Sequence, residues 1–182
     1  MTSILKVSEI QDPTNSNTAI SIDAAGKVTA PNLAMPAGSV LQVVHNTQTG
    51  SSASSTTLSY ADTGLSVSIT PSSTTSKILV FANTNVAAGR ASYTARYDIR
   101  LVNNDASVIG CDKRYVGTDY LNYGNLSLID ALQGYFSPAS TSSQTFKVQA
   151  RIANGATNQA ANLTLGWHTD AIHTITAMEI AG

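Results

Sequence analysis

Thr145-Phe146-Lys147-Val148-Gln149-Ala150-Arg151-Ile152 decides how this chain folds. Apolar and polar residues alternate through the whole stretch, which is the period of a strand with one buried face. A helix would instead repeat its apolar residues at spacings of three and four. The same alternation recurs elsewhere. Leu65, Val67 and Ile69 alternate with Ser66, Ser68 and Thr70. Tyr93, Ala95, Tyr97, Ile99 and Leu101 alternate with Thr94, Arg96, Asp98 and Arg100, and Leu163, Leu165 and Trp167 with Asn162, Thr164 and Gly166. Glutamate, a good helix former, occurs only at Glu9 and Glu179. Turn residues separate the runs, at Thr70-Pro71-Ser72, Ala88-Gly89, Asn103-Asn104-Asp105 and Asn154-Gly155. Short strands with regular turn signals predict an all-β fold, an antiparallel β-sandwich or jelly roll.

Two runs break the alternation. Val40, Leu41, Val43 and Val44 are crowded together, and Ile78, Leu79, Val80 and Phe81 are apolar on successive positions. Both faces of such strands need cover. One face is expected in the domain core and the other against a neighbouring subunit, which makes these eight residues the candidate subunit interface.

The first thirty-five residues read as a separate piece. Short strands are expected at Ile4–Ile10, Ala19–Ile22 and Lys27–Thr29, too few to form a stable core alone. Their apolar residues Ile4, Leu5, Val7, Ile10, Ile20, Ile22 and Val28 are therefore expected to serve attachment or oligomerisation. The stretch Asn32–Gly38 reads as a linker, placing the boundary at Met35–Pro36: an N-terminal β-rich arm over 1–35 and a β-sandwich domain over 36–182.

Composition narrows the function classes. Only 12 % of the 182 residues are charged, and the net charge is −1. Lys and Arg are scattered, so nothing favours nucleic acid or an anionic membrane surface. Ser and Thr, roughly a quarter of the chain, keep the surface wet instead. One cysteine, Cys111, excludes an intrachain disulfide. No apolar stretch reaches membrane-spanning length, and the start of the chain does not read as a secretory signal.

Several stretches resemble structural and fibre proteins of marine tailed bacteriophages. Ser3-Ile4-Leu5-Lys6-Val7-Ser8-Glu9-Ile10-Gln11, Ala19–Asp23 and Gly26-Lys27-Val28 are similar to their N-terminal strand and hairpin, with Ser8 where Asp is usual and Ala24-Ala25 in place of a Ser pair. Pro36–Gln42, Tyr60–Leu65, Ile69–Ser73, Ser76–Val80 and Ile175–Ile180 resemble the C-terminal β-sandwich of phage appendages. The resemblance implies a jelly roll like the tumour-necrosis-factor fold, a homotrimer, capsid or tail proteins as partners, and a place on the virion surface after assembly in the host cytoplasm.

No stretch carries recognisable chemistry. Gly-x-Ser-x-Gly and phosphate-binding loops are absent, so neither an enzyme nor a cofactor is expected. His168, Asp170 and His173 are the one cluster with metal-binding residue types, but residues five apart in a strand face opposite ways, and no metal site is expected there. Asp98 between Arg96 and Arg100 is either a polar contact with a partner subunit or a solvated face. Tyr115, Tyr120, Tyr123 and Tyr135 cluster with Asn122 and Asn125 in a Gly- and Asp-rich stretch. Such residues suit recognition of a host surface glycan, with Tyr115, Tyr120, Asn122 and Tyr123 as the candidates, or packing against a neighbour. The expected function is a virion structural protein, a short trimeric fibre or capsid-surface decoration attached by its N-terminal strands. The alternatives are a receptor-binding tail fibre and, from another class, a depolymerase. The last is disfavoured because glycan hydrolysis needs closely paired carboxylates, and this chain holds only eleven acidic residues.

Overall fold

The structure is a computed structural model. The description covers residues 7–11, 18–30, 35–50, 54–55, 58–90, 95–104, 107–117, 124–152, 161–165 and 170–182. All regular structure among these residues is β, and no helix occurs among them. The chain divides into two compact units, Met1–Pro36 and Ala37–Gly182.

The first unit is a three-stranded antiparallel meander of β1 (Glu9–Gln11), β2 (Thr18–Ile22) and β3 (Val28–Thr29). Ile10 pairs with Ile20 and Ile22 with Val28, which puts these four side chains on one face. The β2–β3 turn is closed by Asp23, whose Oδ1 accepts the backbone N–H groups of Ala25 and Lys27, both at 2.9 Å. Gly26 takes a left-handed φ of 79° there, a conformation that strains any residue with a Cβ.

The second unit holds β4 (Val40–Thr49), β5 (Ser54–Ser55), β6 (Ala61–Ile69), β7 (Lys77–Arg90) and β8 (Ala95–Val102). They are followed by β9 (Val108–Gly117), β10 (Gly124–Phe136), β11 (Gln144–Ile152), β12 (Ala161–Leu165) and β13 (Ile172–Ile180). Eight strands pair in the order β4-β13-β7-β10-β9-β8-β11-β6, and the short β5–β12 pair extends the far end of β7. The sheet is antiparallel and curls almost closed, as a barrel-like sandwich. It turns from one layer to the other where β10 meets β9, opposite Gly134 and Gly110. A Cβ on Gly110 would lie 2.0 Å from the Gln133 carbonyl, so the close approach of the two strands requires glycine.

The core follows from the period-two pattern. Leu65, Val67 and Ile69 of β6, Tyr97, Ile99 and Leu101 of β8, and Phe146, Val148, Ala150 and Ile152 of β11 form one cluster with Ile78, Val80, Ala82 and Val86 of β7, and with Leu132, Ile175 and Ala177. Phe136 meets Phe146 edge to face at 5.7 Å between ring centroids. Each deciding alternation supplies its odd or even set to this interior, as expected of strands with one buried face.

The open seam lies between the edge strands β4 and β6, and side-chain amides bridge it in place of a backbone ladder. Gln42 Nε2 donates to the Thr70 carbonyl at 2.7 Å, and Asn46 Nδ2 to the Ser66 carbonyl at 2.8 Å. Beside them, the buried carboxylate of Glu179 collects four donors: Gln42 Nε2, the Ser72 N–H, the Ser72 hydroxyl and the Ser76 hydroxyl. Burial pushes the pKa of Glu179 up, but those bonds outweigh it and hold the carboxyl at about 2.

Candidate interaction surface

Paired strands point directly opposed residues the same way, so register alone sorts the second unit's outward faces. On β4, β13, β7 and β10 the outward rows are Val43–Met178–Leu79–Tyr135 and His45–Thr176–Phe81–Gln133. Further along, Ile172 of β13 and Ile129 of β10 point outward as well, and Val40 joins Ile180 at the other end. None of these residues is Asp, Glu, Lys or Arg, but Lys77 pairs with Ile180 at the end of this face, and Thr47, Thr174, Asn83 and Ala131 form a further, largely polar outward row. Ile129 is 79 % exposed, Ile172 63 %, Tyr135 58 % and Val43 55 %. Large apolar residues grouped at this exposure are unusual on an isolated soluble domain.

The outward face of β6, β8 and β11 has the opposite character. Asp62 Oδ1 accepts Gln149 Nε2 at 2.7 Å, and its Oδ2 pairs with Lys147 Nζ at 2.9 Å. The Gln149 and Lys147 bonds together draw the Asp62 pKa below the ordinary carboxylate range. Gln149 Oε1 in turn accepts both Nε and an Nη of Arg100. Arg151 Nε donates to Asp98 Oδ2 at 2.8 Å. The guanidinium groups of Arg100 and Arg151 lie 3.8 and 4.3 Å from the centre of the Tyr60 ring. Among the described residues, the charges on this face are met by partners on the same face.

The sequence-derived residues distribute as follows. In the two crowded runs, Val40 and Val43 are exposed and Leu41, Val44, Leu79 and Phe81 are half-buried. Ile78 and Val80 are wholly inside the core. Those last two are therefore removed from the candidate interface: alternation sends every second residue of β7 inward. Val44 also packs against the core. Leu41 is the extra residue of a register shift between β4 and β13. Sequence reasoning missed Met178, Ile129 and Ile172: only the strand register places Met178 beside Val43 and Leu79, and Ile129 and Ile172 further along the same face, opposite Asn85 and Thr49. Tyr135, singled out among the tyrosines, pairs with Leu79.

In the first unit, Val7, Ile10, Ile22 and Val28 are exposed and Ile20 is half-buried; Ile4 and Leu5 lie outside the described residues. So do Tyr120, Asn122 and Tyr123, while Tyr115 is placed only as a β9 residue opposite Tyr97. His168 is also outside them. Asp170 is exposed and His173 is fully buried. Among the described residues no group of three His, Cys, Asp or Glu is placed to hold a metal ion. Asp98 is neither a solvated residue nor an available contact: it is 2 % exposed and bonded to Arg151 within its own chain.

The sequence matches no protein-family model and no curated protein.

Proposed function

We propose that this chain is a phage virion structural protein, a short trimeric fibre or capsid-surface decoration. Its second unit associates with sister copies through the outward face of β4, β13, β7 and β10, and its N-terminal strands attach it to a capsid or tail protein. The observation that carries this reading is the uncharged, apolar Val43–Met178–Leu79–Tyr135 row with Phe81 beside it. Its neighbour in water is most favourably another neutral apolar surface, and a second copy of the same row meets that condition, with Lys77 at the margin of the face. A near-neutral chain also lacks the net charge that keeps copies apart.

The apolar face of the first unit supports attachment. Ile10, Ile20, Ile22 and Val28 lie on a sheet of three short strands, which presents both apolar side chains and strand edges to a partner. Burying four such side chains is worth on the order of 6–12 kcal/mol before ordering costs. Three arms acting together multiply that hold.

Sedimentation equilibrium of the full chain tests the association, with a trimer mass expected; a monomer at tens of micromolar rejects it. Electron microscopy with a labelled antibody tests the location, and particles that never carry the label reject the virion assignment. Virions assembled with a chain lacking residues 1–36 test the arm: incorporation is expected to fail, and normal incorporation moves attachment to the second unit.

A further inference from the structure

Among the described residues, four buried polar atoms have no hydrogen bond within 3.5 Å and of good geometry: Gln48 Oε1, His173 Nε2, Thr84 Oγ1 and Asp130 Oδ1. The His173 ring is met from outside the row by the Gly50 backbone. They are not scattered. Gln48 pairs with His173 across β4 and β13, and Asp130 pairs with Thr84 across β10 and β7. Thr174 pairs with Asn83, so the next position along brings His173 beside Thr84. The four residues thus form one register row across four adjacent strands, pointing into the sandwich. His173, Thr84 and Asp130 are each 99 % or more buried. On one side the row is bordered by Ile175, Ala82 and Leu132, and on the other by Val86, all core residues. An isolated orphan atom is a local defect; four in one row mark a place where a partner belongs.

The donor and acceptor pattern identifies the partner. His173 Nδ1 accepts the Asn85 N–H at 3.1 Å, so that nitrogen carries no proton and the neutral ring places its proton on Nε2. Nε2 is then a donor and cannot ligate a metal ion. Gln48 Oε1 and Asp130 Oδ1 are acceptors, which repel an anion. Thr84 Oγ1 both donates and accepts. Asp130 Oδ2 already receives the Tyr97 hydroxyl at 2.9 Å, leaving its carboxylate half-satisfied. A row that mixes a fixed donor, two fixed acceptors and a hydroxyl suits a ligand that donates and accepts in equal measure.

We propose that this row holds a short file of bound water molecules inside the sandwich, linking Gln48, His173, Thr84 and Asp130. Waters here would complete the buried carboxylate and imidazole without altering the apolar layers on either side.

A high-resolution crystal structure of the full chain reads the proposal directly. Solvent density within hydrogen-bonding distance of these atoms is expected. A dry row, or density at the roughly 2.0–2.6 Å ligand distances of a metal ion, overturns it. Thr84→Val gives an independent reading through its sign. If Thr84 serves a water, losing the hydroxyl lowers Tm by about 2–4 °C. If the hydroxyl is buried with no partner, the apolar isostere leaves Tm unchanged or raises it, and the proposal fails. Calcium and EDTA are expected to leave Tm of the unaltered chain unchanged; a rise with calcium reversed by EDTA assigns a cation instead and also overturns it.

Discussion

The two outward faces of the second unit are built from the same alternating strands and have opposite fates. On β6, β8 and β11 the described outward residues include hydroxyls, charges and amides, and they bond to one another: Asp62 with Lys147 and Gln149, Gln149 with Arg100, Asp98 with Arg151, Ser68 with Thr145. On β4, β13, β7 and β10 the outward side carries the apolar group Val43, Met178, Leu79, Phe81 and Tyr135, and beside it His45 bonds to Thr176 and Thr47. A polar face is satisfied by its own members and by water, whereas an apolar face lowers its free energy only by leaving water. That asymmetry, more than the overall composition, is why the second face is assigned to association and the first is not.

The largest test of this contrast places charge on each face in turn. Val43→Arg combined with Tyr135→Arg is expected to weaken self-association by more than about 100-fold, because charges buried in an apolar contact lack partners. Both sites are exposed in the single chain, so the fold survives, and circular dichroism checks that it does. Lys147→Glu on the other face is expected to leave the sedimenting mass unchanged. If the two sets behave alike, the faces are not functionally distinct.

Within the polar face, Arg151→Ala is expected to cost about 2–4 kcal/mol of stability, read by urea unfolding. It leaves the Asp98 carboxylate buried without its guanidinium. A loss below about 0.5 kcal/mol, the size of an ordinary surface change, would mean that contacts other than the Arg151 guanidinium hold Asp98.

The seam between the layers responds to acid. Glu179 has a folded-state pKa of about 2 against an ordinary 4.5. A depressed carboxyl contributes stability that is fully present above its unfolded value and is lost as pH falls toward its folded one. Stability is therefore expected to decline between pH 4.5 and about 2. Glu179→Gln is expected to flatten that decline and to cost about 1–3 kcal/mol at neutral pH, since an amide N–H₂ would confront a donor among Gln42, Ser72 and Ser76. Burial also holds the His173 pKa below 6.5, countered in part by the Gly50 backbone. For a base whose charged form is disfavoured in the fold, the sign is the same. Stability is present above 6.5 and falls as pH drops through the lowered value, and His173→Gln is expected to remove that shallower limb.

The smallest expected effect is Lys147→Met. Its ion pair with Asp62 is solvent-exposed on both sides, and such pairs contribute about 0–1 kcal/mol. A larger loss would show that the polar face acts as one network instead of a set of separate pairs.

The sequence by itself determined the class of fold and most of its interior. Phe146, Val148, Ala150 and Ile152 had to share a face because side chains alternate along a strand, and the same rule places Leu65, Val67, Ile69, Tyr97, Ile99 and Leu101. It also marked the two crowded runs as needing cover on both sides. Which strand lies beside which was decided only in the tertiary structure. Register put Met178 and Tyr135 next to Val43 and Leu79, sent Ile78 and Val80 inward, turned Asp98 onto Arg151, and aligned Gln48, His173, Thr84 and Asp130 from strands far apart in the chain. Alternation along one strand is a local property of its backbone. Partnership between strands depends on contacts distant in sequence, and no residue pattern within a single strand contains them.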